Sequence, residues 1–184
     1  MYGKALMKIS GKESIKRVID RVKRMKRIGS VILATSTDIS DDVLENIAES
    51  EGIKVYRGSL NNVAERFLKA ALKHKLNHFV RVTGDSILCD NVMVDRAIES
   101  HLQNGNDITF IRNMPFGTNR EIISLSAIKT IYNNATIPEN TEYLEYYLSN
   151  RKIFNVGYVV SNYKFNKSMR ITLDYEEDLE FFNR

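Results

Sequence analysis

Apolar residues recur along this chain in two alternating patterns. After Ser14, a candidate N-cap, Ile15, Val18, Ile19, Val22 and Met25 fall at the spacing that puts side chains on one face of a helix, and the pattern closes near Gly29. The run Val31-Ile32-Leu33-Ala34 has the length of a buried strand. Asp41-Asp42 then opens a second helical pattern through Val43, Leu44, Ile47 and Ala48 that stops at Gly52. The alternation repeats: Ile53–Tyr56 as strand, Asn61 as cap, and Val63, Ala64, Phe67, Leu68 and Ala71 on one helix face. A third strand, His78–Val82, precedes a helix from Asp90 to Leu102.

The second half predicts strands at Ile108–Ile111, Glu121–Ile123 and Phe154–Val160, with helical stretches over 126–133 and 139–148. Ile171–Asp174 reads as a last strand, followed by a helix whose first turn is acidic at Glu176, Glu177 and Asp178. Strand-helix alternation predicts an α/β fold with a mainly parallel sheet covered on both faces. In such sheets ligands bind beyond the carboxyl ends of the strands. Attention therefore falls on Thr35-Ser36-Thr37, Arg57-Gly58-Ser59 and Thr83-Gly84-Asp85.

Length and composition narrow this picture. The 184 residues suit a single domain, 1–184, since neither the two prolines nor the nine glycines cluster into a linker. A hydrophobic fraction of 43% excludes a disordered chain, and no run approaches a membrane span or a signal core. Lone Cys89 allows neither an internal disulfide nor a thiolate zinc site, which with the absent signal predicts a cytoplasmic protein. The net charge is +4, and much of the excess lies in Lys16–Arg27, read as a solvated helix face and not as a nucleic-acid surface. Neither a G-x-x-x-x-G-K-[ST] phosphate loop, a G-x-G-x-x-G fingerprint nor a G-x-S-x-G elbow is present.

Two aspartates end strand-like runs, Asp85 and Asp174. A pair of carboxylates delivered to one edge suits Mg2+, which takes a few carboxylates and completes its shell with water and substrate phosphate. Spacing alone favours a turn residue at Asp85 and a helix cap at Asp174. Arg57-Gly58-Ser59 offers a guanidinium and bare backbone N–H groups to a phosphate or base, or else forms a simple turn. Thr35 and Ser36 offer hydroxyls to a base edge, or else form a Ser/Thr-rich loop.

Taken in order, these segments resemble the cytidylyltransferase family of the spore-coat polysaccharide type, related to the CMP-KDO and acylneuraminate cytidylyltransferases. The resemblance is carried by Gly3–Leu6 with Ile9–Lys12, Val18–Val22, Val31–Ser36 with Asp41-Asp42, Val55–Ser59 and Val63–Arg66. It continues through Val80–Asp85 and Arg170–Asp174 with Glu177-Asp178-Leu179. It implies a three-layer α/β/α Rossmann-like nucleotide-diphospho-sugar transferase fold and transfer of CMP from CTP to a sugar acid or sugar derivative, with release of pyrophosphate. It implies Asp85 and Asp174 as ligands of Mg2+ and, with Lys4 on phosphate, as the catalytic set. Thr35, Ser36, Arg57, Gly58, Ser59 and Arg66 match the nucleotide side. Gly117, Arg120, Glu121 and Glu142 fall in the substrate-binding segments, and a homodimer is the expected assembly.

The family opens with a strand and a basic loop, A-R-x-x-S-x-R-L-P-G-K, whereas this sequence starts at Met1-Tyr2-Gly3-Lys4. The implied sheet therefore lacks its first strand. Further on, Phe116-Gly117-Thr118-Asn119-Arg120-Glu121 stands where the family often has D-G-L-D-V-E. These departures leave a second expectation of another class: a catalytically inactive, nucleotide-sugar-binding relic of the same fold.

Overall fold

The computed structural model describes residues 3–135, 144–166 and 168–184. The chain opens with a 3-10 turn at Lys4–Leu6 and a small hairpin of β1 (Lys8–Ile9) and β2 (Lys12–Glu13). Ser10 and Gly11 turn the hairpin at φ 44° and 77°. Helix α1 (Ser14–Lys23) follows, then β3 (Ile32–Ser36), α2 (Asp42–Ser50), β4 (Lys54–Gly58), α3 (Val63–Lys73) and β5 (His78–Arg81). The second half runs α4 (Asn91–Gln103), β6 (Ile108–Arg112), β7 (Glu121–Ser124), α5 (Leu125–Asn134), α6 (Leu144–Leu148), β8 (Val156–Val160) and α7 (Glu176–Asn183).

The helices are set by their caps. Asn62, one residue beyond the expected cap, accepts from Glu65 N–H; Asp90 and Ser124 do the same for Met93 and Ala127. Helix α1 stops at Lys23, short of Gly29, because the next residues leave the helical path. Met25 turns into the core, while the N–H groups of Lys26 and Arg27 both donate to Asp95 at 3.0 Å.

The architecture is α/β in three layers. Ile122 and Ile123 are adjacent in β7 and both fully buried, yet they belong to different cores, as alternate strand residues covered on both faces must. Ile123 packs with α3, α5 and α6 through Leu68, Ile128 and Leu148; Ile122 packs with α4 through Met93 and Ala97.

One strand, β7, departs from the mainly parallel arrangement that was expected. β3 and β4 form a parallel pair, and β5-β7-β6-β8 form a second sheet in which β7 runs antiparallel to both neighbours. Between β6 and β7 lies no helix to carry the chain back, so the strand returns in the opposite sense. The expected strand over 171–174 is not one either. Its backbone groups go to two segments: Ile171 N–H donates to Phe116 O at 2.7 Å and Leu173 N–H to Asp85 O at 3.2 Å. Among the described residues, no helix is long and apolar enough to cross a membrane.

Candidate active site

The carboxyl end of β5 and the segment before α7 meet at one point. Past β5 the chain turns through Gly84, and Asp85 accepts hydrogen bonds from the hydroxyls of Thr83 and Ser86. Asp174 accepts from Thr172 Oγ1 at 2.6 Å and from Arg170 Nη1 at 3.1 Å, while its own N–H donates to Asp178 Oδ2 at 2.8 Å. The backbone bond from Leu173 to Asp85, with Leu173 fully buried, locks the two segments together.

Gly117 permits that approach. Its φ is 95°, and a Cβ there would lie 2.3 Å from Ile171 O. Its role in the described structure is to let the 170–174 segment lie against the loop after β6.

Lys4 enters this corner from the opening 3-10 turn. Its Nζ lies 2.9 Å from Asp174 Oδ1 and 3.5 Å from Asp85 Oδ2, and its carbonyl accepts from buried Ser14 Oγ at 2.7 Å. Burial works against every charge here, yet the local bonds win. Thr83, Ser86 and Lys4 hold the Asp85 pKa below its ordinary value despite that burial. Thr172, Lys4 and Arg170 do so for Asp174. The two carboxylates in turn hold Lys4 above the usual lysine value.

The other expected residues are placed differently. Thr35 and Ser36, both buried, donate their hydroxyls to Asp41 Oδ2 at 2.7 and 2.6 Å, and Ser36 N–H adds a third bond. Arg57 is spent on its own fold: Nη1 pairs with Asp42 at 2.6 Å and Glu45 at 3.0 Å, while Nε and Nη2 donate to the carbonyls of Ser36 and Asp38. A side chain at Gly58 would meet the Tyr56 ring at 2.7 Å. Ser59 accepts from Asn62 N–H, and Arg66 donates to the Ser59 carbonyl at 2.9 Å.

Glu121 forms an ion pair with Arg81 across the β5–β7 ladder. Arg120 is buried and donates to the carbonyls of Gly117 and Asn119, without an acceptor for Nε; burial draws its pKa down. Glu142 lies outside the described residues. Periodicity did not reveal the hydroxyls of Thr83, Ser86 and Thr172, although each stands one or two residues from an aspartate, the reach of a local side-chain bond.

A model of the cytidylyltransferase family matches residues 1–182. This chain belongs to the cytidylyltransferase family. It is 28% identical over 185 residues to the spore coat polysaccharide biosynthesis protein SpsF of Bacillus subtilis, covering 97% of this chain and 77% of that one. Among solved structures it is similar to a cytidylyltransferase from Leptospira borgpetersenii, with a TM-score of 0.91 and 26% identity over 98% of this chain and 78% of the other. A CMP:2-keto-3-deoxy-manno-octonic acid synthetase complexed with CTP shares the fold at a TM-score of 0.68 and 12% identity, with 88% of this chain and 85% of that one covered.

The donor set where Asp85 and Asp174 meet suits a divalent cation. Asp85 and Asp174 converge on one positive group, the Lys4 ammonium, so the geometry already brings two carboxylates onto a single cation. No cluster of three or more His, Cys, Asp or Glu side chains suited to a metal occurs among the described residues. Two carboxylates with further ligands from phosphate and water are the donor set of a hard, hydrated ion.

Proposed function

We propose that this cytidylyltransferase transfers CMP from CTP to a sugar acid or sugar derivative, in the synthesis of a surface-polysaccharide precursor. The oxygen of an acceptor hydroxyl attacks the α-phosphorus as its proton passes to solvent; a new P–O bond forms, the bond to the bridging oxygen breaks, and pyrophosphate leaves. The observation that carries this reading is the meeting of Asp85 and Asp174 on Lys4.

In this reading Asp85 and Asp174 would hold a divalent cation, Mg2+, which would neutralise charge developing on the phosphates. Lys4, released from between the carboxylates, turns its ammonium to a phosphate oxygen. Thr83, Ser86, Thr172 and Arg170 keep the two carboxylates aligned, so that little reorganisation is left for the reaction itself. The nucleotide lies along the strand ends at Thr35, Ser36, Gly58 and Ser59, and Arg66 holds the loop there. Arg57 acts by positioning that loop, since its guanidinium is already engaged. Gly117, Arg120, Glu121 and Glu142 belong to the acceptor side.

The test is release of pyrophosphate from CTP with Mg2+ and a panel of sugar acids, alongside calorimetric CTP binding. The expected outcome is acceptor-dependent release that Asp85→Asn abolishes. CTP binding with no turnover across the panel would favour the inactive relic, and absence of CTP binding would overturn both.

A further inference from the structure

The loop that joins β6 to β7 has its polar backbone fully engaged and leaves one large ring over. Each carbonyl from Pro115 to Asn119 accepts a hydrogen bond. Pro115 O takes the N–H and hydroxyl of Thr118, Phe116 O takes Ile171 N–H at 2.7 Å, and Thr118 O takes Asp90 N–H at 3.0 Å. The buried Arg120 guanidinium serves the other two, Gly117 O and Asn119 O. Phe116 N–H donates to Met169 O at 3.1 Å, so the backbone under Phe116 is fixed on both sides. Its ring is not. Phe116 is 64% exposed, and among the described residues it joins none of the apolar cores and stacks on no other ring.

A single apolar side chain in water is ordinary on an open surface, but this one lines the cleft that holds Gly84, Asp85 and Thr172. Phe116 is also the bridge partner of Arg170, so the two side chains leave on the same side, and Arg170 bonds to Asp174 at 3.1 Å. The ring therefore belongs to the corner where the two carboxylates meet.

We propose that Phe116 is the platform on which the acceptor sugar stacks, and that the acceptor is bound in its ring form. This rests on the transfer proposed above. The face of an aromatic ring is electron-rich, and the C–H bonds on one face of a sugar ring, polarised by the neighbouring oxygens, complement it. An open-chain sugar has no such face to lay down. The acceptor takes the ring, and not the base, because the loop belongs to the sheet β5-β7-β6-β8, whereas the groups assigned to the nucleotide stand at the ends of β3 and β4 in the other sheet. Since the backbone is ordered beforehand, stacking fixes where the acceptor oxygen lies at little further entropic cost.

The test compares Phe116→Ala, Phe116→Leu and Phe116→Tyr with the parent, using whichever sugar acid of the panel gives the fastest pyrophosphate release. Two competitors accompany it: the anhydro derivative of that sugar, which keeps the ring, and its alditol, which opens it. KM for the acceptor should rise about tenfold in the Ala and Leu variants and return close to the parent value in the Tyr variant, which keeps the aromatic face. CTP affinity by calorimetry and the melting temperature should not move, because the ring touches neither the nucleotide side nor a core. The anhydro sugar should compete at least about tenfold better than the alditol, and Phe116→Ala should erase that difference. An unchanged acceptor KM in Phe116→Ala, equal competition by the two derivatives on the parent, or a loss of CTP affinity in its place would each overturn this inference and leave the transfer standing. Absence of acceptor-dependent release by the parent would overturn the transfer, and this inference with it.

Discussion

Two corners of the molecule carry the polar residues expected to act on a nucleotide, and they are built on opposite principles. At the end of β3, the donors are consumed internally: the Thr35 and Ser36 hydroxyls on Asp41, and the Arg57 guanidinium on two carboxylates and two carbonyls. At the end of β5, hydroxyls fix Asp85 and Asp174, and among the described residues the side chain that bonds to both carboxylates is a lysine on a flexible stem. A compact ammonium exchanges readily for another cation, whereas a guanidinium held by four partners does not. On the proposed function the β3 corner contributes shape and the β5 corner chemistry.

The largest effect that tests this contrast is expected from Asp85→Asn, which keeps the size and the hydroxyl contacts of the site while removing a charge. Turnover should fall by about 100-fold or more, the scale for losing one preorganised electrostatic group. Thermal stability should change little, and the quantity to measure is pyrophosphate release by a variant whose circular dichroism matches the parent. A near-normal rate would move the chemistry away from β5.

Next comes Gly117→Ala. The added Cβ collides with the Ile171 carbonyl, and φ at 95° is unfavourable for any side chain, so the 170–174 segment must lift. Overpacking of this kind costs about 1–3 kcal/mol in denaturant unfolding. It should also weaken the hold on Asp174 while leaving the β3 corner unchanged. Smaller again is Arg57→Met. If Arg57 only shapes its loop, KM for CTP rises a few-fold with kcat nearly unchanged, the pattern of lost uniform binding. A fall in kcat as large as that of Asp85→Asn would erase the distinction between the corners.

The contrast also explains what was legible in the sequence. Apolar periodicity marks α2, α3, α4 and the strands between them because each buries one face, and a strand end followed by Gly-Asp announces Asp85. Strand direction leaves no such trace: β7 is the same apolar run whichever way it points. The available signal was the lack of a helical pattern between Ile111 and Glu121. The β1–β2 hairpin is too short for periodicity, although Ser10-Gly11 is a turn pair. That Arg57 is spent on Asp42 and Glu45, or that Glu121 faces Arg81, depends on which elements pack together, which no local pattern encodes.

The smallest expected effect separates the corners by alkaline titration. Lys4 has its pKa raised above 10.5 in the folded protein, because Asp174 and Asp85 outweigh the opposing effect of burial. A raised folded pKa means that Lys4's contribution to stability is complete below the unfolded value and is lost as pH rises through the folded one. Arg57 cannot follow, since Asp42 and Glu45 hold it above an already higher value. The stability difference between the parent and Lys4→Met should therefore be constant through neutral pH and shrink above pH 10.5, whereas that between the parent and Arg57→Met should persist. Both differences come from melting curves of the same proteins in matched buffers. Parallel loss of the two would mean that general alkaline unfolding, and not the lysine bridge, governs the β5 corner.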